Sequence, residues 1–189
     1  MAKTKNEENF LKFNFDVSAF RLLGRELITD RITALFELVK NSYDSNANDV
    51  TIEFIKINPI NDETKIIIRD DGFGMDYSDI KNRWMVIGTS SKRRERKTPE
   101  PYNRIVSGKK GIGRFAVDKL GAKLILKTKK KGSNQLFCLE TDWINYSKIE
   151  SNQMSLNFGD SKDFFTDIKN RYWLENANTE SHGTILEIS

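Results

Sequence analysis

Phe36-Glu37-Leu38-Val39-Lys40-Asn41-Ser42-Tyr43-Asp44-Ser45-Asn46-Ala47 is the stretch that decides how this chain is read. At helical spacing Ile28, Ile32, Leu35, Leu38 and Val39 form an apolar stripe, while Glu37, Asn41 and Asp44 fall together at i, i+4 and i+7. The spacing predicts a long helix from about Glu26 to Asp44, ended by the turn cluster Asn46-Ala47-Asn48-Asp49. One face of that helix is kept for polar work. A carboxylate, an amide and a second carboxylate in line can activate a water, hold a magnesium ion and hydrogen-bond a ligand. An ordinary solvated helix face shows the same residues, so the weight falls on the motifs downstream.

The chain of 189 residues is 38% hydrophobic, enough for one substantial core. A formal net charge of +4, from 31 Lys and Arg against 27 Asp and Glu, is too mild to argue for nucleic acid. The single cysteine, Cys138, stands in the apolar run Leu136-Phe137-Cys138-Leu139 and reads as a strand residue of the core, which excludes an internal disulfide or zinc framework. The start Met1-Ala2-Lys3-Thr4-Lys5-Asn6-Glu7-Glu8 is charged, and no segment approaches about 18 consecutive apolar residues. The expectation is a soluble, cytoplasmic protein without a membrane segment.

Residues 1–25 read as an N-terminal arm with a short helix, broken at Gly24. Val50 to Ile57 alternates like a half-buried strand and Thr64 to Arg69 is a second, predicting an antiparallel hairpin. That second strand runs into Asp70-Asp71-Gly72-Phe73-Gly74-Met75, where the glycines permit a sharp turn and leave room for a flat ligand. Asp70, fixed at the strand end, is then an acceptor suited to an exocyclic amine.

Asp79 to Met85 predicts a short helix. Ile87-Gly88-Thr89-Ser90-Ser91-Lys92 then opens a polar stretch in which Lys92, Arg93, Arg94, Arg96 and Lys97 stand without an apolar anchor, so a mobile lid at about residues 88–110 is expected. Gly108-Lys109-Lys110-Gly111-Ile112-Gly113-Arg114-Phe115-Ala116 follows, ahead of a helix from Val117 to Leu120. Glycines before a helix leave backbone N–H groups open to phosphate at the positive end of the helix dipole, and Lys109 and Lys110 add charge. A plain glycine hinge fits the same spacing. Ala122 to Lys127 and Gln135 to Glu140 predict a second hairpin, while Phe164, Phe165, Ile168, Tyr172 and Trp173 predict an amphipathic helix. Ser181-His182-Gly183-Thr184-Ile185-Leu186-Glu187-Ile188 is a turn into a last strand, with His182 a turn residue.

Four of these motifs, in this order, resemble the GHKL superfamily of ATP-binding domains, which includes gyrase B subunits, the ninety-kilodalton heat-shock chaperones, MutL mismatch-repair proteins, MORC proteins and histidine kinases. Glu37-x-x-x-Asn41-x-x-Asp44 resembles its N box, Asp70-x-Gly72-x-Gly74 its first glycine box, Gly108-x-x-Gly111-x-Gly113 its phosphate-contacting glycine box, and Gly183-Thr184 its closing motif. The resemblance spans residues 26–189 and implies a two-layer α/β (α+β) sandwich of Bergerat type: a mixed, mostly antiparallel sheet covered on one face by helices.

Carried over residue by residue, the resemblance implies Glu37 as the general base, Asn41 as the magnesium ligand and Asp70 as the acceptor for the adenine amine. Thr184 would support Asp70 and adenine, and Gly72 and Gly74 would allow close approach. Gly111 to Gly113 would offer amides to phosphate, and Asp44 would lie near the nucleotide. Met75, Thr89, Ser90, Lys92, Lys110, Ile112, Arg114 and Phe115 complete the implied ATP or ADP contacts.

Histidine kinases commonly lack the water-activating acid and the residue corresponding to Asp44, so the presence of both favours an ATPase. Transfer of the γ-phosphate to a protein by a signalling module of histidine-kinase type is the alternative. The resemblance also implies a nucleotide-dependent homodimer and the N-terminal part of a longer protein. DNA enters as a partner only through the company of gyrase, MutL and MORC.

Overall fold

The computed structural model describes residues 28–86, 97–107, 113–145, 168–177 and 180–189. Its frame is a six-stranded sheet built from β1 (Val50–Ile55), β2 (Lys65–Asp70), β3 (Lys123–Lys129), β4 (Gln135–Asp142), β5 (Arg171–Asn176) and β6 (Gly183–Ile188). Their spatial order is β1-β2-β6-β3-β4-β5. Every described pairing is antiparallel, in keeping with the expected mostly antiparallel sheet. Both predicted hairpins form, as β1–β2 and β3–β4.

The helix α1 (Arg31–Asp44) lies on one face of this sheet with the five-residue helix α3 (Ala116–Leu120). Asp30 caps α1 in an extended conformation, its carboxylate accepting the amide of Thr33 at 2.7 Å and its hydroxyl at 2.9 Å. A capping acid satisfies an amide that has no partner within the helix. The described helix therefore starts at Arg31, later than the predicted start near Glu26. Its buried line is Ala34, Leu38 and Ser42; of the expected apolar stripe Ile28 and Leu38 are core and Leu35 packs against it, while Ile32 is 68% exposed. Ala34 and Ser42 are small, and small side chains let a helix approach a sheet closely.

Side chains alternate along a strand, so register decides what faces α1. Ile68 pairs with Leu186 and Leu186 with Leu126, giving an apolar row across three strands that is buried under Leu38 and Val117 in the core cluster. Two residues along, Asp70 pairs with Thr184 and Thr184 with Thr128. The same face thus changes from apolar core to a polar row at one end of the sheet.

A short helix α2 (Tyr77–Asp79), capped by Asp76, continues into a π-helical turn over Ile80–Trp84 that buries Ile80. The helix expected through Tyr172 and Trp173 is instead the edge strand β5, paired with β4. The spacing from Phe164 through Ile168 to Tyr172 fits a helix, but Arg171-Tyr172-Trp173-Leu174-Glu175 has the period of two and the aromatic content of a strand. Cys138 is fully buried in β4, and burial together with the Glu175 carboxylate pushes its thiol up to about 11, as a core residue requires.

Only part of the expected lid falls among the described residues, and that part is anchored. Lys97 and Ile105 form an antiparallel bridge, Thr98 is buried, and Asn46 donates to the Pro99 carbonyl at 2.7 Å. With Tyr102 and Ile105 both exposed, this segment is held by hydrogen bonds, which its composition did not reveal. Residues 87–96 and 108–112 lie outside the described residues.

Candidate functional site

Asp70 ends β2 with its carboxylate turned toward α1. Oδ2 accepts the Ser42 hydroxyl at 2.9 Å, and Oδ1 accepts the amides of Gly72 at 3.0 Å and Thr184 at 3.2 Å. Burial raises its pKa above the ordinary carboxylate value, and these three donors oppose the rise. A half-buried carboxylate held from three sides is a preorganised acceptor. The charge costs desolvation in the fold, and a ligand N–H donor in the same place recovers part of that cost.

Thr184 supports Asp70 directly through its amide. Thr128 donates its single hydroxyl proton to the Gly183 carbonyl at 3.0 Å and accepts the Met75 amide at 2.9 Å. The 3.1 Å contact between the Thr128 and Thr184 hydroxyls must then have Thr184 as donor, leaving the Thr184 oxygen able to accept. One hydroxyl therefore ties the first glycine box, β3 and the Gly183-Thr184 turn together. His182 adds a second tie, with Nδ1 2.7 Å from the Gly72 carbonyl; an acceptor-only carbonyl makes Nδ1 the protonated nitrogen.

The crowding at the first glycine box comes from the protein itself. A Cβ on Gly74, where φ is +64°, would stand 2.0 Å from the Lys129 carbonyl oxygen, and one on Gly72 would stand 2.0 Å from Ser45 Oγ. These glycines are required by the chain's own packing before any ligand is considered.

Glu37, Asn41 and Asp44 do share a face of α1. A Cβ on Gly113 would lie 3.3 Å from Asn41 Nδ2 and 3.6 Å from both Asn41 Oδ1 and Glu37 Oε2. The last glycine of the third motif thus stands against the first two members of the N box. Glu37 Oε1 is ion-paired with Lys40 at 2.7 Å. Asp44 Oδ1 accepts the amide of Ser107 at 2.8 Å, so Asp44 fastens the chain leading into the glycine-rich stretch.

Met75 is half-buried against the core, and Phe115 is a core side chain at 3% exposure, so the ring of Phe115 is not available to a ligand. Thr89, Ser90, Lys92, Lys110, Gly111, Ile112 and the side chain of Arg114 lie outside the described residues. Ser42 and Thr128 are the site residues that sequence reasoning missed. Ser42 had a signal, a hydroxyl interrupting the buried line Ala34-Leu38-Ser42; Thr128 had none without the strand register.

The structure thus gathers two groups along α1, Asp70 with Thr184 and Ser42, and Gly113 with Asn41 and Glu37, and the two meet on the helix at the neighbouring residues Asn41 and Ser42. The Asn41 amide oxygen and the Glu37 carboxylate beside Gly113 are hard donors of the kind magnesium takes. Among the described residues no cluster of three or more His, Cys, Asp or Glu side chains forms, and no helix is long and apolar enough to cross a membrane.

Comparison with known proteins identifies the family. A protein of Herpetosiphon aurantiacus, provisionally named type II restriction enzyme HgiDII, is 30% identical over 106 residues, which is 56% of this chain and 16% of that protein. The chain thus spans under a fifth of the length of that relative. The N-terminal domain of a DNA repair protein aligns with 90% of this chain and 38% of its own, at 21% identity and a TM-score of 0.47. Residues 29–172 match the family described as histidine kinase-, DNA gyrase B- and HSP90-like ATPase. That match takes in the N box, both glycine boxes and most of the sheet, and the chain belongs to this family of ATP-binding, ATPase-type modules.

Proposed function

We propose that the chain binds magnesium–ATP between α1 and the polar end of the sheet and hydrolyses it, acting as a nucleotide-driven switch that pairs two copies of the protein. The observation that supports this reading is the approach of Gly113 to Glu37 and Asn41, which sets a carboxylate and a side-chain amide beside a glycine backbone. In this reading Asp70 accepts the adenine amine, and the Thr184 hydroxyl oxygen faces the base directly or through a water. Asn41 would hold magnesium, which would supply charge neutralisation at the phosphates. Glu37 orients the attacking water and takes its proton.

Glu37 favours hydrolysis over transfer to a protein side chain, because a carboxylate beside the phosphate-binding turn serves a water nucleophile. The likeness to a protein named as a restriction enzyme supports DNA as the object of the switch in a longer chain. The test is calorimetry with ATP and ADP in magnesium, followed by release of labelled phosphate. Binding with free phosphate as product is the expected result; labelled protein would favour transfer, and absence of binding would overturn the reading.

A further inference from the structure

At one edge of the sheet stands β5, Arg171-Tyr172-Trp173-Leu174-Glu175-Asn176, and among the described residues no strand lies against its outer side. Continuing the β4–β5 register by one step sets Asn134 opposite Ala177, and the Ala177 amide donates to the Asn134 carbonyl at 3.0 Å. Opposed residues that exchange backbone bonds alternate with those that do not, so Arg171, Trp173 and Glu175 turn their N–H and C=O groups to β4. Tyr172 and Leu174 turn theirs outward. Their side chains lie on the helix-covered face, since Tyr172 pairs with Leu139 and Leu139 with Leu126 of the core. Tyr172 stacks on Phe137 with centroids 5.5 Å apart, yet Tyr172 and Leu174 remain 52% and 49% exposed. On the opposite face the Trp173 indole donates to Glu175 Oε1 at 2.7 Å, and the Arg171 guanidinium lies 5.3 Å from the Trp173 ring centroid. Sheet edges are commonly blunted by proline, lysine or a bulge. The edge strand β5 has neither residue, and its register with β4 is unbroken.

We infer that β5 is a docking edge for the β5 of a second copy of this chain, the two strands pairing antiparallel about a two-fold axis at Trp173. In that arrangement the strand is its own complement. Tyr172 falls opposite Leu174 of the second copy, and these are the residues whose backbone groups point outward, so the backbone bonds and the register agree. The same pairing covers both exposed apolar side chains of the strand. On the other face Arg171 falls opposite Glu175 of the second copy, twice by symmetry, with the two Trp173 rings between them. A shift of two residues either way keeps the backbone match, but neither Arg171 nor Glu175 then meets an opposite charge within the strand. The other edge strand, β1, has the acid Glu53 and no base, so it lacks this complement. Because β3 and β4 separate β5 from β6, which carries Thr184, the contact does not draw on the nucleotide site.

A contact of about five residues a side is small, so a weak dimer is expected, with a dissociation constant on the order of 100 μM. The experiment is sedimentation of the chain without nucleotide, from about 1 μM to about 1 mM, for wild type, Arg171→Glu, Glu175→Arg, an equimolar mixture of those two, and Leu174→Lys. Each charge reversal sets like charges opposite one another at two places and is expected to weaken self-association about tenfold or more. The mixture restores opposite charges at both places and is expected to associate as wild type does. Leu174→Lys puts a charge opposite Tyr172 and is expected to abolish association, which keeps the test open if a charge variant does not fold. In wild type, hydrogen exchange at the Tyr172 and Leu174 amides should slow as concentration rises, while the Trp173 amide, bonded to β4, does not change. A wild-type dimer lost in each charge variant and regained in the mixture supports the proposal. A wild type that stays monomeric at about 1 mM overturns it. So does a dimer that the folded variants leave intact, or a mixture that associates no more tightly than either charge variant alone.

Discussion

Ser42, on the buried line of α1, donates its hydroxyl to Asp70 Oδ2 at 2.9 Å, joining helix and sheet by one hydrogen bond at the floor of the site. Asp70→Asn is predicted to preserve the fold, since an amide oxygen can still accept from Gly72 and Thr184 while its NH2 donates to the Ser42 oxygen. Displaced from Asp70, the Ser42 hydroxyl can turn to the Leu38 carbonyl, already 3.5 Å away. The adenine amine would lose a charged acceptor, a change worth roughly 1.5–3 kcal/mol, or about ten- to a hundredfold in affinity. Calorimetry showing equal ATP affinity in variant and wild type would contradict the role given to Asp70.

The raised pKa of Asp70 has a definite sign in stability. Burial makes the folded state hold this proton more tightly than the unfolded state, whose value is near 3.8. The contribution is fully present below that value and is lost as pH rises through the folded pKa. Asp30, Asp71 and Asp76 are shifted downward, so their contributions are lost as pH falls, and the contrast with a variant is needed to isolate Asp70. Denaturant unfolding of wild type and Asp70→Asn across the acid range should show the variant gaining stability relative to wild type as pH increases above about 4. A difference independent of pH would mean that Asp70 titrates like a surface acid.

The glycines should separate into structural and functional classes. Gly74→Ala sets a Cβ 2.0 Å from a backbone carbonyl in a left-handed conformation, and is predicted to cost more than about 3 kcal/mol of stability. Gly132, at φ +80° with nothing within 4 Å of a Cβ, should cost only about 1 kcal/mol as alanine. Gly113→Ala meets side chains that can yield, so its melting temperature should stay near wild type while nucleotide turnover falls. Equal melting shifts for Gly74→Ala and Gly132→Ala would remove the distinction.

Much of this site was legible because its chemistry is local. Glu37, Asn41 and Asp44 lie on one helix, and Asp70 and the first glycine box on one strand end, so spacing alone groups them. The links between these groups were not legible. Thr128 reaches Met75, Gly183 and Thr184 only because β3 pairs with β6, and nothing near Thr128 in sequence indicates that register. The anchoring of residues 97–107 was missed for a related reason: Thr98, Asn46 and Arg104 replace apolar burial with hydrogen bonds, which hydropathy does not register. At β5, apolar spacing extended from Ile168 into Tyr172 and outweighed a strand pattern only six residues long.

The last prediction separates binding from chemistry on α1. If Glu37 orients and deprotonates the attacking water, Glu37→Ala should keep ATP affinity within a few fold and lower turnover by roughly a hundredfold or more. The fold should not suffer, because the pair lost with Lys40 is largely solvated, with side chains 32% and 49% exposed, and pairs of that kind contribute little. Asn41→Ala should instead damage affinity and turnover together, since a metal held by Asn41 would act in the bound state as well as in the transition state. Magnesium titrations sharpen the contrast: removing the ion with a chelator should weaken ATP binding in wild type and Glu37→Ala alike, and have little further effect in Asn41→Ala. Phosphate release should be followed on this chain and on a longer one, because the restriction-enzyme relative extends well beyond this length. If Glu37→Ala hydrolyses ATP as fast as wild type in both, Glu37 is a surface acid paired with Lys40, and the base must be sought elsewhere.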